Sequence, residues 1–344
     1  MSMPEDRRII GGSREFAGDL LVELASVVRG MEDGELVTLV SDRADVGPEL
    51  ERWSRLTGHA LVQSDRIGES SRWVVRKGEA RYAGEPARPI GSRVWLYTNF
   101  DCNLSCDYCC VRSSPRAERR ALGLEEIRRL AAEARECGVE GLFVTGGEPF
   151  LLREIGDILS ACADAAPTTV LTNGMLFNGS RLATVEALPR DRIAFQISID
   201  SPTPDLHDLR RGRGSWSKAV AGVRIVRDRG FRVRVAATVS SDRDEASLRA
   251  FLDREAFAEE DRVIRRIALR GFATEGVALT TADLVPETTI TAGGVYWHPV
   301  GADDDDFLVT PNAFPLRGAI EAVHARWRKE REVHDAVAEV FRCA

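Results

Sequence analysis

The chain has 344 residues, 44% of them apolar and 29% charged, with a net charge of −7. That length exceeds one small core and suits two domains, the apolar content excludes global disorder, and no run approaches the ~20 apolar residues of a membrane-spanning helix. The N-terminal MSMPEDRRII lacks the charged, apolar, small-residue order of a signal peptide, so a cytoplasmic protein is expected. Mild acidity gives no field that would draw in nucleic acid. Lys77, Lys218 and Lys329 are the only lysines among 47 basic residues, a bias read as GC-rich coding rather than a binding mode.

Residues 7–78 alternate strand-like and helix-like periods (RRII, FAGDLLVELASVVRGM, ELVTLVS, VGPELERWSRLTG, HALVQSD, SRWVVRK), which predicts a βαβαββ two-layer sandwich over 1–80 with its helices on one sheet face. The Gly/Pro-rich GEARYAGEPARPIGS that follows predicts a linker over 81–91. From Val94 the period changes. VWLYTN, GLFVT, TTVLTN, IAFQISID, RVRVAATVS and VIRRIALRG alternate with amphipathic segments, the pattern of a parallel sheet covered by helices, an α/β barrel or half-barrel over 92–270. Functional residues then belong at the carboxyl ends of the strands. The remainder, 271–344, reads as a less regular stretch with a small β excursion, then a charged helix over 315–342.

Of seven cysteines, four fall within nine positions: Cys102, Cys106, Cys109 and Cys110. In a cytosolic chain this clustering points to metal or redox chemistry rather than a disulfide framework. Three thiolates spaced CxxxCxxC on a loop after the first barrel strand can hold an iron–sulfur cluster and leave one iron without a protein ligand. The competing assignment is zinc, which wants a fourth nearby Cys or His. Cys137 and Cys162 lie on helical patterns and read as small buried apolar residues, and Cys343 as a terminal thiol.

Cys102-Asn-Leu-Ser-Cys106-Asp-Tyr108-Cys109, with an aromatic before the third cysteine, resembles the signature of the radical S-adenosylmethionine (radical SAM) superfamily. The resemblance covers about 92–270 and implies a partial (β/α)6 barrel, in which Cys102, Cys106 and Cys109 hold a 4Fe–4S cluster whose open iron is chelated by S-adenosylmethionine (SAM). It extends to Gly146-Gly147-Glu148-Pro149 after GLFVT, which in the family contacts the methionyl amine of SAM. It also extends to Thr172-Asn173-Gly174, to Ser198-Ile199-Asp200 on the ribose side, and to His207-Asp208-Leu209-Arg210-Arg211-Gly212, whose arginine, assigned to Arg211, lies near the SAM carboxylate. Ser198 and Asp200 alternatively cap the following helix. The implied reaction is reductive cleavage of SAM to methionine and a 5'-deoxyadenosyl radical that abstracts hydrogen from a small-molecule or peptide substrate, with electrons from a partner such as flavodoxin or ferredoxin.

Residues 7–78 resemble TusA-like (SirA-type) sulfur carriers, but Ala17 stands where their persulfide cysteine belongs and Leu20 where a proline would be. The resemblance therefore implies a docking or structural role rather than sulfur carriage. Cys110 beside the cluster and His298 in Tyr296-Trp297-His298-Pro299 are the candidates for catalysis, and the run Asp303–Asp306 reads as a solvated loop. Other functions compatible with the thiols are a non-catalytic iron–sulfur or zinc sensor or scaffold, and a radical sulfur-handling reaction with a separate donor.

Overall fold

The structure, a computed structural model, describes residues 7–340 apart from 15, 17–19, 33, 58, 69 and 79–87. Ala17, Cys343 and most of the 81–91 linker lie outside the described residues. Two compact units result, one including residues 1–84 and the other residues 85–335.

The first unit runs β1 (Arg7–Gly12), α1 (Leu21–Arg29), β2 (Leu36–Ser41), α2 (Val46–Thr57), β3 (Ala60–Ile67) and β4 (Ser70–Arg76), with sheet order β1-β2-β4-β3. β1 is parallel to β2, and β4 is antiparallel to both β2 and β3. Alternate strand residues Val37, Leu39, Trp73 and Val75 form one core with Leu20, Leu24 and Val28 around α1 and Val46 and Leu50 of α2. A single shared core means that both helices cover the same sheet face, as the period change predicts.

The second unit carries six parallel strands among the described residues: β5 (Arg93–Tyr97), β6 (Gly141–Thr145), β7 (Thr168–Thr172), β8 (Ile193–Ser198), β9 (Arg232–Val239) and β10 (Arg262–Arg266). The connecting helices are α3 (Leu124–Glu136), α4 (Ile155–Ala165), α5 (Gly179–Ala187), α6 (Pro204–Arg211), α7 (Ser215–Asp228) and α8 (Asp242–Arg254). Each strand sends alternate residues outward to the helices: Val94 and Leu96, Leu142 and Val144, Val170, Phe195 and Ile197, Val233 and Val235. α3 answers with Ile127, Leu130, Ala131 and Ala134, the i, i+3, i+4, i+7 stripe of an amphipathic helix. Ile127 and Leu130 are no more than 1% exposed, and such burial contributes roughly 1.5–3 kcal/mol per side chain.

The predicted β excursion is part of this sheet rather than a separate piece. β11 (Thr289–Thr291) pairs in parallel with the free edge of β5, β12 (Gly294–Tyr296) with β11, and β13 (Leu308–Thr310) with β12, giving the order β10-β9-β8-β7-β6-β5-β11-β12-β13. α9 (Leu316–Val340) is the charged terminal helix, tied to α3 where Glu133 accepts the Leu316 N–H at 2.6 Å. Among the described residues no helix is long and apolar enough to cross a membrane.

Candidate active site

The loop after β5 is held at its base by the segment after β6. Thr98 N donates to Thr145 O, Gly147 N to Asn99 O and Glu148 N to Asp101 O, at 2.8–3.0 Å, which extends the strand pairing past both strand ends. A Cβ on Gly146 would stand 2.3 Å from Asn99 Oδ1, and one on Gly147 would stand 2.2 Å from Asp101 O. The two glycines are thus required by packing against the chain leading into Cys102, in addition to facing a cavity.

Beyond that base, Cys102, Cys106, Cys109 and Cys110 all line one cavity of about 240 Å³. Backbone N–H groups of Leu104 and Ser113 donate to the sulfurs of Cys102 and Cys109, at 3.4 and 3.3 Å. Burial pushes the Cys102 thiol up to about 12 and the Cys106 thiol to about 11. Burial likewise raises Cys110 to about 12, and its side chain packs in the small cluster of Tyr97, Phe100, Val111 and Ala302. Among the described residues no three His, Cys, Asp or Glu side chains converge tightly enough to hold a single metal ion.

The cysteine loop is also clamped from outside. Asp107 N donates to Arg210 O at the end of α6, and Phe272 N donates to Cys109 O at 2.9 Å. Gly271, at φ +64°, lies so near that a Cβ there would stand 2.1 Å from Cys109 O. The acidic run contributes as well: Asp303, whose side chain is 5% exposed, takes Arg112, and Asp304 takes Arg270. The run expected to be a solvated loop is therefore an anchor between the chain after β12 and the cysteine loop.

Several residues expected to touch a ligand turn out to support the wall. Glu148 is fully buried, and its carboxylate accepts from Phe150 N (3.0 Å), Thr172 Oγ1 (2.8 Å) and Asn173 N (2.8 Å). Burial raises this carboxyl above its ordinary range despite those three donors, and it stitches β6 to β7 instead of facing an ammonium in the cavity. Pro149 is buried as the first residue of the short turn over Pro149–Leu151. Asp200 is 1% exposed and fully engaged: Arg211 donates through Nε at 2.5 Å and through Nη2 at 3.1 Å, Thr238 N donates at 3.0 Å, and the Tyr108 hydroxyl donates as well. Burial alone pushes the Asp200 carboxyl up, but the Arg211 charge with these hydrogen bonds overcomes it and holds the group below its usual value. Asp200 thus fixes Arg211 and Tyr108, two side chains that border the cavity.

Cavity-facing positions fall to Tyr108, Gly146, Gly147, Asn173, Ser198 and Arg211 among the expected residues, and to Thr145, Gln196, Thr238, Arg265 and Arg266, which the motifs had not singled out. Asn173 is oriented by donating to Asn103 Oδ1 at 2.7 Å and accepting from Met175 N at 3.0 Å. Position on a strand was the available signal for Gln196 and Thr238, since each is two residues from, or opposite, a motif position and shares its face. His298 is not among the cavity-lining residues. Its Nδ1 accepts from Val300 N, and burial lowers the imidazole to about 3. Cys162 is a core residue as read from the sequence, whereas Cys137 is half-buried at the end of α3.

The stretch from His207 to Gly212 is a scaffold. His207 Nδ1 accepts the Asp200 N–H at 3.2 Å, Asp208 accepts from the N–H groups of Gly214 and Trp216 at the start of α7, and Gly212 adopts φ +117°, a conformation open to glycine. Burial first, then the Arg211 charge, lowers the His207 imidazole from 6.5 to about 4. A histidine neutral when folded and basic when unfolded stabilises the fold above pH 6.5 and loses that contribution as pH falls through 4. At about 1.4 kcal/mol per pH unit, the loss sums to about 3 kcal/mol. Melting curves from pH 7 to 4 are expected to show a shallower decline for His207→Asn than for the parent; parallel profiles would refute the assignment.

Residues 96–253 match the Radical SAM superfamily. These residues are a radical SAM domain. The radical SAM family works with a 4Fe–4S cluster and SAM. Over 140 residues, 40% of this chain and 31% of the relative, the radical SAM region is 34% identical to the antilisterial bacteriocin subtilosin biosynthesis protein AlbA of Bacillus subtilis (strain 168). Over 158 residues, 44% of this chain and 47% of the relative, it is 32% identical to GTP 3',8-cyclase of Pectobacterium atrosepticum. The chain thus spans less than half the length of these relatives. Among solved structures, native anSMEcpe with bound AdoMet superposes with a TM-score of 0.54 over 68% of this chain and 82% of that one at 13% identity, which establishes a shared fold.

Proposed function

We propose that the barrel is a radical SAM enzyme acting on a small-molecule or peptide substrate, with Cys102, Cys106 and Cys109 as the cluster ligands. The observation that carries this is the set of three CxxxCxxC thiols lining one cavity together with the Gly146–Gly147 backbone. A single zinc ion wants a fourth Cys or His, whereas three thiolates are what a cluster with one open iron takes. When bound, the cluster and SAM supply reductive cleavage of the sulfonium and a 5'-deoxyadenosyl radical for hydrogen abstraction.

The protein's own contribution is positional. Gly146, Gly147 and Asn173 offer backbone and amide groups to the aminoacyl end of SAM, and Ser198 offers a hydroxyl to its ribose. Glu148, Pro149 and Asp200 act one layer behind, by fixing the loops and the Tyr108 and Arg211 side chains that border the cavity. Cys110 and the buried ring of Tyr97 keep water from the cysteine side. An electron partner such as flavodoxin or ferredoxin is needed to start the reaction. Residues 1–80 are read as a TusA-like domain without its carrier cysteine, since no cysteine precedes Cys102, and as a docking element for a protein partner or substrate. The relatives' names span both substrate classes, one belonging to biosynthesis of a bacteriocin and the other being a GTP cyclase.

The test is anaerobic reconstitution with iron and sulfide, reduction by dithionite with SAM, and chromatography for 5'-deoxyadenosine. About four irons per chain with deoxyadenosine are expected. Four irons without deoxyadenosine under any reductant would favour a sensor or scaffold, and stoichiometric zinc would overturn the reading.

A further inference from the structure

The charges lining the cavity are one-sided. Its charged side chains are Arg211, Arg265 and Arg266, with no carboxylate among them. Asp200 neutralises Arg211, and Asp242 with Glu245 neutralises Arg266, whereas Arg265, a solvent-exposed residue of β10 that also borders the cavity, has no ion-pair partner among the described residues. Arg265 sits near the carboxyl end of β10, opposite Thr238 of β9. It lies close enough to Tyr97, Cys110 and His298 to act on them electrostatically. That places it on the β5 side of the barrel opening, while Gly146 and Gly147 directly follow β6 and Asn173 directly follows β7.

A second, independent feature faces the same space. Gln196, in the middle of β8, is 2% exposed and lines the cavity, and its side-chain amide nitrogen has no hydrogen-bond partner. A buried donor left unmade costs free energy unless a ligand acceptor meets it. On β9 Gln196 stands opposite Arg234 and Arg265 opposite Thr238, and between those two levels the cavity is lined by the small side chains of Ala236 and Thr238. A guanidinium without a counterion and an amide without an acceptor, separated by a small-residue floor, form a complementary pair of donors for an oxyanion.

We propose that Gln196 and Arg265 form a substrate subsite for an oxyanion, a phosphate or carboxylate group, so that the hydrogen donor is an anionic molecule. This rests on the radical SAM reading above. SAM brings a positively charged sulfonium to the cavity and leaves the β10 cation for a second molecule.

The experiment uses the full chain, both as isolated and after reconstitution with cluster and SAM. Pyrophosphate, inorganic phosphate and acetate are titrated separately by calorimetry, and SAM affinity is measured in parallel. Saturable binding of at least one anion is expected, weakened about tenfold or more in Arg265→Met and in Gln196→Leu and retained in part by Arg265→Lys. The phosphate and acetate arms distinguish a phosphoryl from a carboxylate substrate. Circular dichroism melts of each variant separate lost binding from lost folding. No saturable anion binding by the parent would overturn the proposal, as would variants that weaken SAM about tenfold while leaving the anions unaffected, because the groups would then serve SAM's own carboxylate. Anion binding in a protein that forms no cluster and cleaves no SAM would sink the radical reading and leave the anion subsite standing.

Discussion

Alanine at Cys102, Cys106 or Cys109 is expected to lower bound iron from about four per chain to below about one and to abolish deoxyadenosine formation, while Cys110→Ala keeps its iron. The distinction follows from placement. All four sulfurs border the cavity, Cys102 and Cys109 receive backbone N–H groups, and Cys110 alone stands outside the CxxxCxxC spacing. Iron and sulfide assays with absorbance near 400 nm decide it. Iron retained by Cys106→Ala and lost from Cys110→Ala would mean that the wrong three thiols had been chosen.

Asp200→Ala is expected to be the most damaging single change outside the cysteines. It strands the Arg211 guanidinium, 11% exposed, and frees the Tyr108 hydroxyl and Thr238 N–H at once. Breaking a buried pair by removing one partner costs about 3–5 kcal/mol. In a unit of this size that corresponds to a fall in melting temperature of about 10 °C. The double change Asp200→Leu with Arg211→Met is expected to recover more than half of the stability, because two apolar groups leave no uncompensated charge. A single variant that melts within about 2 °C of the parent would show that the pair is not what holds this wall.

The sheet and its strand order were legible from the alternation of apolar runs with amphipathic segments, because a parallel strand buried on both sides is written as a short continuous run. So were the cysteines, whose spacing carries chemistry with little help from the fold. What was not legible is direction. Glu148 and Asp200 stand in motifs as if to meet a ligand, yet their carboxylates turn away, toward Asn173 N and Thr172 in one case and toward Arg211 and Tyr108 in the other. Only the tertiary arrangement supplies those partners, which come from other elements 11 to 92 residues away. Conversely, Gln196 and Arg265 belong to no motif, and their interest comes from what is missing around them. The attachment of 289–310 to β5 was also invisible, since three-residue strands are too short to write a period.

That attachment fixes when the site can first exist. Tyr97, beside the cysteine loop, donates to Pro299 O across 202 positions, and Trp95 donates to Glu287 across 192. During synthesis at about 5–20 residues per second, the cysteines emerge roughly 10–40 seconds before the chain that walls them in. Through that interval the β5 edge lacks its β11 neighbour, so the thiols are exposed to oxidants and stray metals with one wall still unbuilt. A ribosome-bound intermediate stalled before residue 287 is in this state, and cluster delivery that waits for completion of the chain avoids it.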